Sequence, residues 1–188
     1  MLRKTAGLLG AAAVLTLGAT APAGAETAPA SGGKFAAQAT AAGLDASQAA
    51  ALQKRVGSRI AEEGGRQVSA NRIALDGASI LVVVPGETYA RDLAGGQSEA
   101  QAKEWNCPEK YFCMWRGTNA TGERKDLYYC RDYGLTNWTG NGSWSNNQVG
   151  NVQAAFKRQN GTVIHWSLPS PSHNTNYNWD PVWAVKPC

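Results

Sequence analysis

The sequence predicts a mainly β protein: a compact antiparallel sandwich or barrel over residues 105–188, preceded by a small helix plus β-hairpin unit. Three observations carry this. All seven Trp, five of six Tyr and two of three Phe fall between Trp105 and Cys188. Short apolar and aromatic runs there alternate with turns rich in Asn, Gly and Pro, as in an all-β domain. Ahead of that stretch, an apolar stripe at helical spacing and an Asp-Gly turn mark one helix and one hairpin.

Residues 1–25 read as a secretory leader. Arg3-Lys4 is followed by an apolar run from Ala6 to Leu17 and by Ala23-Gly24-Ala25, a small-x-small cleavage pattern. The run is shorter than the ~20 residues a membrane span needs. The protein is therefore expected to be secreted and extracellular, with no membrane association once the leader is cut.

Residues 26–43 are small, polar and without period, and are expected to form a disordered linker. Residues 44–104 are expected to form a helix and β-hairpin accessory or prosegment-like region with its connector. Its helix spans 45–63. Asp45 and Gln48 make a capping box, Leu52, Val56 and Ile60 form the stripe, and Gly64-Gly65 stops it. Gln67 to Leu75 reads as a strand with a slip at Asn71-Arg72. Asp76-Gly77 turns it, and Ser79 to Val84 returns. The stripe covers either its own hairpin or the aromatic domain. Residues 87–104 read as a surface connector with room for a helical turn.

Within 105–188, strands are expected at Tyr111–Trp115, Lys125–Cys130, Val152–Arg158, Val163–Ser167 and Val182–Lys186. Asn160-Gly161 joins the third to the fourth. Residues 134–151 and 168–179 read as long loops, the second stiffened by Pro169 and Pro171.

The four cysteines, Cys107, Cys113, Cys130 and Cys188, suggest two disulfides in an oxidising compartment. Of the three pairings that four cysteines allow, the favoured one joins Cys107 to Cys113 and Cys130 to Cys188. A zinc ion on all four is the rival, and the chain lacks the paired C-x-x-C spacing such sites favour.

Charge excludes one class of partner. Formal net charge is +4, and with Arg3 and Lys4 in the leader the rest carries 16 positives against 14 negatives. That is too mild for nucleic-acid binding. No catalytic residue, cofactor or metal is expected. His165 and His173 are the two histidines, and neither has a metalloprotease context. The serines lack the G-x-S-x-G elbow. Glu109, Glu123, Asp126, Asp132 and Asp180 include no pair that spacing singles out for glycoside hydrolysis.

Two binding classes stay open. Trp138 and Trp144 flank one polar loop, and Tyr177 with Trp179 lies in the other. Exposed aromatics beside amides suit sugars or protein hot spots. Together with Asn146 and Asn147 these make the candidate binding surface. The alternative is that these rings fill the core. Asn146-Asn147 also begins a crystallin-type calcium pattern, but its two hydroxyl positions are missing and no acid lies between Tyr133 and Trp179. Calcium wants six to eight oxygens, often carboxylate.

Residues 107–122 (CPEKYFCMWRGTNATG) carry a resemblance. Cys107-Pro108, Phe112-Cys113, Trp115 and Gly122 resemble the opening of a family of secreted actinobacterial proteins, peptidase inhibitor family thirty-six. GSWSNNQVGN (142–151) is also similar to many members. The resemblance covers about residues 105–188. It implies a βγ-crystallin-like Greek-key sandwich, with Gly122 where the backbone folds over and Trp115 packed on the fold; Ala120 stands where a second aromatic is usual. It also implies the blocking of an extracellular peptidase by tight non-covalent binding, through a pre-ordered loop; the protein is expected to be a monomer. The Cys107–Cys113 loop and the Pro169/Pro171 loop are available stiffeners. The family's inhibitor carries a second local disulfide beside its binding loop. Here Cys130 and Cys188 are 58 positions apart, so no binding loop carries over.

Overall fold

The computed structural model describes residues 32–103 and 105–188. The leader expected over residues 1–25 lies outside them. The protein is mainly β, with a helical unit ahead of antiparallel sheets. Among the described residues, three helices, α1 (Gly32–Ala41), α2 (Ala46–Glu63) and α3 (Glu99–Ala102), accompany eleven strands. In chain order these are β1 (Arg66–Gln67), β2 (Arg72–Leu75), β3 (Ala78–Leu81), β4 (Phe112–Trp115), β5 (Arg124–Leu127), β6 (Tyr133–Gly134), β7 (Asn141–Asn146), β8 (Ala155–Lys157), β9 (Val163–Trp166), β10 (Ser172–Asn178) and β11 (Ala184–Lys186). No described helix is long and apolar enough to cross a membrane.

The linker expected over 26–43 is corrected from residue 32 onward, where the chain forms α1; residues 26–31 lie outside the described part. Its small residues hide a helical period. Phe35, Ala39 and Ala42 are spaced four and three apart and pack with Leu44 and Leu52. Helix α2 begins at the Asp45 capping box with Gln48 and ends at Gly64. Leu52 and Val56 are buried against Ile73, Ile80, Val82 and Val84, so the stripe covers its own hairpin. Asn71 interrupts the strand before β2. Buried, it donates from its amide to the carbonyls of Val82 at 2.9 Å and Arg91 at 2.7 Å.

The strands form two sheets, ordered β1-β2-β3-β5-β4-β7-β10 and β6-β11-β8-β9. Every strand pairing is antiparallel. The N-terminal hairpin is continuous with the larger sheet, because β3 pairs with β5 in the register Ala78↔Leu127 to Leu81↔Arg124. Charge reinforces the join. Lys125 Nζ lies 2.8 Å from Glu63 of α2, and Arg59 bonds to Glu63 at 2.9 Å and lies 3.1 Å from Glu123.

Between the sheets lies one aromatic core. Phe112, Met114, Leu127 and Trp144 from one side meet Tyr133, Phe156 and Val185 from the other, with Trp138, Trp179 and Val182 filling the end. This is the packing of a sandwich. At the β4–β5 turn, Gly122 has φ +77° and Ala120 φ +61°. Ala120 is buried with Trp115, Cys107 and Cys113, so a methyl group occupies the corner where an aromatic is usual. Both disulfides, Cys107–Cys113 and Cys130–Cys188, are present.

Two segments expected to be loops contain strands. The 134–151 stretch contains β7, flanked by β4 and β10, and 168–179 contains β10. Their Asn, Gly and Thr content hides this, because β propensity is set largely by neighbours. Strand β10 is an edge strand with mostly exposed or half-buried residues, and polar side chains suit that position. At Gly142 a Cβ would collide with the Trp115 carbonyl and the Trp179 indole, so only glycine lets the strands close here.

Candidate functional site

The expected binding surface is corrected by burial. Trp138, Trp144 and Trp179 lie in the core, and Tyr177 is half-buried against Phe156 and Trp179 with ring centroids 5.0 and 4.9 Å away. Burial pushes the Tyr177 hydroxyl up to about 12. The strands are short, and bulky rings are what fill the space between them. Arg116 sits over Trp138 at 4.5 Å. Two tryptophans remain half exposed, Trp166 and Trp183.

Asn146 and Asn147 have a different role from surface contact. Asn146 is fully buried at the end of β7. Its Nδ2 donates to the Val152 carbonyl at 2.7 Å and the Leu168 carbonyl at 3.2 Å, and lies 3.3 Å from Ser167 Oγ. Its Oδ1 accepts from Gln148 Nε2 at 3.0 Å. Asn147 turns the other way: its Nδ2 donates to the Cys107 carbonyl at 2.8 Å, and its own carbonyl accepts from Lys110 N at 2.8 Å. The tandem amides are thus engaged in bracing backbone. Asn146 ties residues 148–152 to residues 167–168, and Asn147 ties the same turn to the Cys107–Cys113 loop.

The result is a pair of adjoining loops on a rigid base. Ser170 N donates to the Val152 carbonyl at 3.0 Å, and Gln153 Nε2 to the Ser167 carbonyl at 2.7 Å. Ser167 Oγ accepts from Ala154 N at 2.8 Å, while Ser167 N donates to the Ala154 carbonyl at 2.8 Å. Above this base stand three large apolar side chains: Val149 at 54 % exposure, Trp166 at 53 % and Leu168 at 63 %. Buried Ser167 and Ser170 bracket the exposed Leu168-Pro169 pair. Proline stiffens it further: Pro169 fixes its own φ and confines Leu168 to extended backbone.

Sequence reasoning named the Pro169/Pro171 stiffening but missed Leu168. The available signal was an aliphatic residue before proline with a serine on each side, Ser167-Leu168-Pro169-Ser170. Among the described residues, no group of three His, Cys, Asp or Glu is placed to hold a metal ion. His165 stacks on Phe156 with ring centroids 5.2 Å apart, and burial lowers its pKa.

Trp183 lies elsewhere. It stands between two open clefts of about 550 Å³ each, one lined by Arg158, Gln159 and Asn160, the other by Thr136, Asn137, Thr139 and Asp180.

Residues 100–168 match the model of peptidase inhibitor family I36. Neither the curated proteins nor the solved structures include a match to this chain.

Proposed function

We propose that this chain, which matches peptidase inhibitor family I36 over residues 100–168, is a secreted inhibitor that blocks an extracellular peptidase by tight non-covalent binding. It acts as a monomer and carries out no reaction of its own. The observation that carries the reading is the Asn146-braced loop pair. It offers exposed apolar side chains on backbone whose freedom has already been removed, so little ordering entropy is lost on binding. The disulfides support secretion. The pairing of β3 with β5 supports a working protein that keeps the helix and hairpin unit.

The test is a titration of the purified mature protein against subtilisin-like, trypsin-like and thermolysin-like peptidases. Stoichiometric loss of activity in at least one is expected. Full activity across the panel would remove the reading.

One observation favours a second reading, a polysaccharide-binding module. Trp183 offers a half-exposed ring between clefts lined by amides, hydroxyls and charges, the mixture that suits a sugar ring. Retention on insoluble glycans, abolished by Trp183→Ala, would support it.

A further inference from the structure

We infer that Leu168 is the residue that enters the peptidase's primary specificity pocket, and that the Leu168–Pro169 bond beside it is withheld from the catalytic groups and so is not cut. The partner is an endopeptidase whose primary pocket selects large aliphatic side chains. This inference rests on the inhibitor reading above.

Four observations converge on this position. Leu168 has the highest exposure of the large apolar residues given above, at 63 %. Its backbone is extended by the proline that follows, and extended backbone is what a peptidase cleft reads by strand-like pairing. Its neighbours Ser167 and Ser170 are buried and hydrogen-bonded into the base, so the exposed dipeptide cannot withdraw. Val149, the nearest rival in exposure, is followed by Gly150 and Asn151 with φ of +83° and +60°, a turn that cannot lie along a cleft.

The same geometry explains why the bond survives. Hydrolysis requires attack on the carbonyl carbon while the oxygen moves into the enzyme's own donors. The Leu168 carbonyl oxygen already accepts from Asn146 Nδ2 at 3.2 Å and from Ser172 Oγ at 2.9 Å. It is turned into the inhibitor, away from the side chain that the pocket receives. The leaving nitrogen belongs to Pro169, whose ring leaves it without an N–H and crowds its approach to the catalytic groups. The side chain is bound as a substrate's would be, while the carbonyl beside it is withheld.

The experiment measures inhibition constants of the full mature protein and of Leu168→Asp, Leu168→Lys and Val149→Asp. The targets are an aliphatic-selective subtilisin-like peptidase, a thermolysin-like peptidase and trypsin. Both positions are solvent-facing, and a thermal melt confirms that each variant is folded. Leu168→Asp is expected to weaken inhibition of the aliphatic-selective target by at least about 30-fold, as for a hot-spot residue. Val149→Asp is expected to weaken it by less than about 5-fold. Leu168→Lys should gain activity against trypsin. Mass spectrometry after long incubation should find the bond between residues 168 and 169 intact in the parent and cleaved in Pro169→Ala. If the parent inhibits but Leu168→Asp matches it, or if Leu168→Asp and Val149→Asp lose equally, the assignment of Leu168 is overturned and the inhibitor reading stands. If the parent inhibits none of the three, both fall together.

Discussion

The side-chain amide of Asn146 reaches the carbonyl of Leu168 at 3.2 Å from a position sealed from solvent. The same nitrogen serves Val152 on the neighbouring loop at 2.7 Å. One buried group therefore sets the spacing of two surface loops. Replacing Asn146 with alanine leaves these carbonyls without that donor, at a cost of about 1–3 kcal/mol. A lower melting temperature is expected, together with cleavage of the 167–171 segment when the variant is incubated with the target peptidase. An unchanged melting curve and an intact loop would show that Asn146 is not the brace.

A second prediction concerns the join between the N-terminal unit and the sheet. The Lys125 side chain is only 2 % exposed, and its partner Glu63 is 6 % exposed. Breaking a buried pair from one side costs about 3–5 kcal/mol. Glu63→Ala is therefore expected to destabilise the whole protein by that order in urea unfolding. The fragment 105–188 expressed alone, lacking both β3 and Glu63, should fail to give a cooperative transition. A fragment as stable as the full chain would mean that residues 32–104 are a removable prosegment.

The Cys130–Cys188 bridge closes a loop with a sequence separation of 58. Chain-entropy arguments assign such a closure about 4 kcal/mol. The double variant Cys130→Ser/Cys188→Ser should show a loss approaching this value under oxidising conditions. It should also show reduced sensitivity of stability to added reductant, because the remaining bridge closes a loop with a separation of only 6.

His165 gives the fold an acid sensitivity. The ring is largely exposed, but partial desolvation on the side that meets Phe156 and Tyr177 holds its pKa below the ordinary 6.5, so the unfolded chain takes up a proton first as pH falls. The stabilisation is present above 6.5 and is lost as pH drops through that value towards the folded pKa. Between about pH 7.5 and about pH 5 the melting temperature of the parent should fall more than that of His165→Phe. Parallel curves would show that His165 does not contribute.

What the sequence made legible follows from the range of each signal. Helix α2 and the β2–β3 hairpin are announced by contiguous residues: the Asp45/Gln48 capping box and the Asp76-Gly77 turn. Four cysteines allow three pairings, and the favoured partners are those that the structure joins. Strands β7 and β10 escaped because Asn141 to Asn146 and Ser172 to Asn178 become strands through each other, not through their own composition. The aromatics were found but misplaced. Composition locates Trp138, Trp144 and Trp179 in the β region and is silent on which side of a strand faces inward. Leu168 was passed over because one exposed leucine is ordinary; only the hydrogen bonds around its carbonyl distinguish it.

The family match and the folding unit have different borders. The matched stretch ends at residue 168 and begins at residue 100, whereas the sheet running β5-β4-β7 is completed on one flank by β3 and on the other by β10, both outside it. A transplant of residues 100–168 alone would expose two raw strand margins, each a template for indiscriminate stacking with other chains. Any attempt to reuse this module in another protein must carry the flanking segments along or supply substitutes for them.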